Sequence, residues 1–123
     1  MRVAICDDEK LFRDTIKVAL YGYSNLHRME VAIEEFSCGV DLLETEHKFE
    51  IIFYNYKIDG IDGLEIARLM SKKSVGATMF LITSFPKHVY EAYEVFGFRF
   101  FETPLDVAQL YKAMDECFES IHF

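Results

Sequence analysis

No stretch of this sequence approaches the ~20 consecutive apolar residues that a membrane span requires, and Met1 leads directly into a strand-like segment instead of a signal peptide. A cytoplasmic location without membrane contact is the expectation. The two prolines and six glycines gather into no linker, and no repeat or low-complexity tract interrupts the chain. Basic residues are outnumbered, 13 Lys and Arg against 21 Asp and Glu, and the formal charge of -8 repels phosphate backbones. Contact with DNA is therefore expected only through another domain. The three cysteines, Cys6, Cys38 and Cys117, form no CxxC pair and have no histidine at metal-ligand spacing, so buried thiols are expected rather than ligands. His27, His47, His88 and His122 are just as scattered and are read as solvated surface groups without a role.

What is present is a chain of 123 residues, 51% hydrophobic and rich in Phe and Tyr, which is the length and composition of one soluble domain with one core. Strand-like and helix-like segments alternate along it. Arg2 to Cys6 reads as a strand, followed by a helix with Phe12, Ile16, Ala19 and Tyr23 on one face. A second strand spans Glu30 to Phe36, and a short helix carrying Val40, Leu42 and Leu43 follows Gly39. Glu50 to Tyr56 is the third strand, and its run Ile51-Ile52-Phe53-Tyr54 is apolar on both faces, as a central parallel strand should be.

After a loop at Asp59 to Gly63, Ile66, Ala67 and Met70 mark a third helix and Ala77 to Thr83 a fourth strand. Ser84 is placed to cap a fourth helix, with Pro86 in its first turn and Val89, Ala92, Tyr93 and Phe96 as its buried stripe. Phe98 to Phe101 is the fifth strand. Asp106 and Gln109 have capping-box spacing ahead of a last helix whose face is Val107, Leu110, Tyr111, Met114, Phe118 and Ile121. Such βα units, joined by right-handed crossovers, predict an α/β doubly wound parallel sheet of five strands with five helices, for which 2-1-3-4-5 is a common order.

Ligands of such sheets bind beyond the carboxyl ends of the strands, at the switch point between the first and third. Polar residues converge there: Asp7-Asp8-Glu9, Asn55, Thr83-Ser84 and Thr103-Pro104. With Ala4-Ile5-Cys6 before the acids, the Asn55 to Gly63 loop, Leu81-Ile82 and Phe98 to Asp106, the whole chain, residues 1–123, resembles a single CheY-like receiver domain of bacterial response regulators. In that family two acids after the first strand hold Mg²⁺, an Asp ending the third strand accepts phosphate, a Thr or Ser follows the fourth strand, and a Lys precedes the proline. Asp7, Asp8, Thr83 and Pro104 fit the pattern.

Asn55 and Thr103 depart from it, standing at the phosphoacceptor and at the lysine. A carboxamide offers a neutral oxygen but is a feeble nucleophile toward phosphorus, so the resemblance implies a degenerate receiver in which acyl phosphate does not form and no enzymatic activity is expected. Loss of the lysine removes the charge that would pair with a phosphoryl group. The implied metal site, Asp7, Asp8, Asn55 and the backbone carbonyl of Lys57, is expected to bind Mg²⁺ weakly if at all. Lys57 is either a solvated loop residue or an internal cation for Asp7 and Asp8. The plain reading of Asp7 and Asp8 is a helix-capping cluster. Asp59 adds a charge of no assigned purpose, and Phe100 stands where active relatives carry a switching aromatic.

The segment Tyr90 to Phe100 is similar to receivers that precede LytTR-type DNA-binding domains, which implies a transcription regulator whose output domain is not in this chain. The expected partner is a protein, or a second copy, docking on the face of the fourth helix, fifth strand and last helix through Val95, Phe98, Phe100 and Tyr111. A histidine kinase is a further candidate partner. One alternative is a phosphorylatable receiver into which Asn55 was introduced, and Thr103 argues against it, because one inactivating change suffices. A flavodoxin-like cofactor binder is disfavoured, since an Asp-Asp-Glu loop repels phosphate.

Overall fold

The computed structural model describes residues 1–55, 63–83, 99–102 and 105–122. Its sheet consists of β1 (Arg2–Cys6), β2 (Ala32–Phe36), β3 (Ile51–Asn55), β4 (Thr78–Thr83) and β5 (Arg99–Glu102). The strands are parallel and ordered β2-β1-β3-β4-β5. The helices among the described residues are α1 (Lys10–His27), α2 (Gly39–Glu44), α3 (Gly63–Lys73) and α4 (Val107–His122). The helix expected from Ser84 to Phe96, and with it Val95 and Phe98, lies outside the described residues.

Strand limits differ from the sequence reading by a residue or two, and β2 shows why. Arg28 closes α1 in the left-handed region at φ 51°, and its N–H donates to the Ser24 carbonyl. The chain then needs Met29 to Val31 to return to the sheet edge, so β2 begins at Ala32 rather than Glu30.

The apolar runs are explained by helices on both faces of the sheet. Val3, Ile5, Ile51, Phe53, Phe80, Ile82 and Phe101 point toward α1 and α4, where they meet Ile16, Leu20, Tyr23, Leu110 and Met114. Their alternate neighbours Ala4, Cys6, Ile52, Tyr54, Met79 and Leu81 pack with Leu42, Ala67 and Met70 of α2 and α3. Phe53 and Phe80 stack with centroids 5.1 Å apart, and Phe80 and Phe101 lie at 5.2 Å, so one aromatic row crosses the middle of the sheet.

Two inward assignments need correction, and so does one outward assignment. Phe12 and Val107 are 38% and 46% exposed, because each sits in the first turn of its helix and looks past the end of the sheet. Tyr111, read both on the apolar face of the last helix and on an outward docking face, turns toward α1, as the first reading has it: its ring meets the edge of Tyr23 at 5.3 Å. Its hydroxyl occupies the space that a Cβ on Gly22 would need, at 2.5 Å. The glycine is what lets α1 and α4 approach there.

Cys6 and Cys117 are buried as expected, whereas Cys38 is half-buried ahead of α2. The surface histidines are better anchored than anticipated. His47 Nδ1 lies 2.8 Å from Glu34, and His27 stacks on Tyr23, 3.7 Å from Asp115.

Candidate functional site at the carboxyl edge of the sheet

Strand register brings the polar ends together. Cys6 pairs with Tyr54, and Asn55 pairs with Ile82, so Asp7, Asn55 and Thr83 follow at adjacent carboxyl ends of β1, β3 and β4. The Asp7 N–H donates to the Phe36 carbonyl at 3.0 Å, which carries the β1–β2 ladder one residue further and fixes where Asp7 stands.

Asp7 is 1% exposed, and its carboxylate is held by two neutral donors. Oδ1 accepts the Glu9 N–H at 3.0 Å and Oδ2 accepts the Asn55 amide at 3.2 Å. Glu9 is the N-cap residue of α1, which has no side-chain cap hydrogen bond, so Asp7 does not cap that helix. Asp8, next in sequence, is exposed. Burial pushes the Asp7 carboxyl above its usual range, and the neighbouring Asp8 adds to that rise. The bonds from Glu9 and Asn55 oppose it.

Arg13 was not singled out by the sequence. Its Nη1 donates to the Asp7 carbonyl at 2.7 Å, and its Nε pairs with Glu35 at 3.2 Å. The guanidinium thus clamps the backbone of the first acid, while its charge is directed to β2. The only available hint was that Arg13 falls within two helical turns of Asp7, a spacing that many helix-surface arginines share.

Lys57, Asp59 and Thr103 lie outside the described residues. Thr83 ends β4, and Phe100 pairs with Leu81 in the sheet. Among the described residues, no three His, Cys, Asp or Glu side chains cluster tightly enough to hold a metal ion. The arrangement on hand is one buried acid, one exposed acid and an amide whose nitrogen faces the buried acid.

No protein-family model matches the chain. Among curated proteins it is similar to the transcriptional regulatory protein BtsR of Escherichia coli, 28% identical over 93% of this chain and 46% of that protein. It is also similar to the sensory transduction protein LytT of Bacillus anthracis, 26% identical over the same shares. Among solved structures, the response regulatory domain of MrkE from Klebsiella pneumoniae superposes with a TM-score of 0.81 at 24% identity, covering 98% of this chain and 97% of that one. A CheY-like receiver domain from Methanospirillum hungatei gives 0.74 at 17% identity, over 97% and 94%. This chain has the fold of CheY-like receiver domains and is similar in sequence to response regulators.

It spans about half the length of the curated relatives it matches. The kinship to LytT agrees with the LytTR-type resemblance of Tyr90 to Phe100. No helix among the described residues is long and apolar enough to cross a membrane. In this receiver the third strand ends on a carboxamide that donates to the first acid, where a carboxylate would repel it.

Proposed function

We propose that this receiver serves a two-component transcription regulator as an interaction module that works without phosphorylation. One observation carries the reading: Asn55 ends β3 and its amide donates to Asp7 at 3.2 Å. The amide nitrogen's electron pair is delocalised into its carbonyl and is a feeble nucleophile toward phosphorus, and the neutral side chain supplies the contact that a bridging cation would otherwise make between two acids. Mg²⁺ would be held only weakly, by Asp7, Asp8 and the Asn55 oxygen after rotation of the amide. The Thr103 substitution in the sequence supports the same conclusion.

Treatment with acetyl phosphate and Mg²⁺, read by intact mass, should leave the chain unmodified. A base-labile gain of one phosphoryl group would overturn the reading.

The partner, a regulatory protein or a second copy, docks on the face built from β5 and α4. Tyr111 contributes to that face by ordering α4 against α1, not by direct contact. Val107, 46% exposed in the first turn of α4, is its described apolar member. Val107→Glu should weaken the complex several-fold in sedimentation or pull-down measurements while leaving the melting curve unchanged, because an acid suits a helix N-terminus. An unaltered association would remove α4 from the interface.

A further inference from the structure

Beside the acid pocket, a cavity of about 260 Å³ opens between α1, the end of β4 and the start of α4. Its walls are Leu11, Phe12, Thr15, Ile16, Ile82 and Leu105, and Asp7 is the only charged one among the described residues that line it. Two features of this cavity call for an occupant. Leu11 and Phe12 are 74% and 38% exposed, an apolar cost that nothing else among the described residues relieves. Asp7, almost fully buried, takes hydrogen bonds on its carboxylate from the neutral Glu9 and Asn55 groups, which leaves acceptor capacity on both oxygens, and among the described residues no cation is bonded to either.

We infer that the cavity binds a small organic cation, a primary ammonium on a compact aromatic or branched aliphatic body, with the ammonium at Asp7 and the body among Leu11, Phe12, Ile16, Ile82 and Leu105. Charge complementarity decides the class. A carboxylate desolvated by burial gains most from a cation that brings its own hydrogen-bond donors, and the chain's charge of -8 draws cations toward it. An anion would meet Asp7 and Asp8, and an uncharged body would leave the Asp7 charge uncompensated. The size also fits. The volume corresponds to roughly nine waters at their liquid share of ~30 Å³, room for a ligand of about ten non-hydrogen atoms. The inference rests on Asp7 and the cavity alone, and it stands whether or not Asn55 excludes phosphate chemistry.

The test is a titration of the chain with phenethylammonium chloride, followed by backbone amide NMR shifts, with sodium chloride at matched ionic strength as control. Saturable shifts at residues 7–16, 82 and 105 are expected. Asp7→Asn should weaken them about tenfold, as should replacing the ligand by 2-phenylethanol, since either change removes one member of a partly buried charge pair. Thr15→Phe, which fills the cavity from an exposed helical position, should abolish them without unfolding the domain. No saturation by about 10 mM, where even a feeble site should begin to fill, overturns the inference, as does undiminished binding by the Asp7→Asn or Thr15→Phe chain.

Discussion

Two acids of this domain, Asp7 and Glu35, stand at the ends of neighbouring strands and are treated in opposite ways. Glu35, on the edge strand, receives two cations, Arg13 at 3.2 Å and Lys17 at 3.1 Å, although it is partly exposed and water could serve it. Asp7, buried, receives two neutral N–H groups. Arg13 touches both residues, giving its charge to Glu35 and only a backbone bond to Asp7. The cations thus blunt an edge strand that would otherwise invite pairing, and among the described residues the acid at the switch point is left without a counter-charge. A structural core seldom leaves a buried charge in that state, and a binding site has reason to.

The sharpest way to break this comparison is to add charge where it is least compensated. Asn55→Asp would set a second carboxylate where an amide now donates to Asp7. It should destabilise the domain by about 2 kcal/mol at neutral pH and low salt, from like-charge repulsion at a mostly buried site. Sharing a proton relieves the repulsion, so the loss should fade as pH falls. Millimolar Mg²⁺ should also restore part of it. Chemical denaturation of the two proteins across pH checks this, and equal stability at neutral pH would mean that the pocket already holds a counter-charge.

Removing the Asp7 charge should act in the other direction, with a smaller effect. Asp7→Asn keeps an acceptor for the Glu9 N–H and, after an amide flip at Asn55, a bond between the two amides. Because burial raises the folded pKa of Asp7 above its unfolded value, the folded state binds the proton more tightly, and stability falls as pH rises through the folded pKa. The variant should therefore be more stable than the parent at neutral pH, by on the order of 1 kcal/mol, with no advantage below the unfolded pKa. A variant less stable at neutral pH would show that the ionised carboxylate is a net support.

Much of this contrast was legible beforehand, and the parts that were not share a cause. The sheet could be read because Ile51 to Tyr54 and Met79 to Ile82 are apolar at consecutive positions, a pattern that only a strand covered on both faces sustains. Asp7 and Asn55 could be brought together because strand ends converge in this topology. Periodicity gives the direction of a helix face but not how far the sheet extends beneath it, so Phe12 and Val107 were misplaced. The partners of Arg13, His27 and His47 depend on contacts between elements that no local spacing encodes. Lys57 and Thr103, to which the sequence gives site roles, lie outside the described residues.

Glu35→Gln should have the smallest effect, and it tests whether the edge cluster and the acid pocket are separate. Arg13 bonds to the Asp7 carbonyl through Nη1 and to Glu35 through Nε, so it could transmit a change at β2 into the site. The side-chain exposures of Arg13, Lys17 and Glu35, 16%, 29% and 33%, leave the cluster open to solvent and salt. Such pairs contribute little, and a glutamine still accepts from the guanidinium, so the melting temperature should drop by only about 2 °C and the difference should vanish in high salt. The bond to the Asp7 carbonyl is shorter, 2.7 Å, and involves no acid, so it should persist. Amide shifts of Asp7, Asp8 and Glu9 in the variant should then match those of the parent. If they move while the Asp7→Asn chain shows no change at Glu35, the coupling runs inward from the edge strand, and Arg13 is a positioning residue for the site rather than part of the edge.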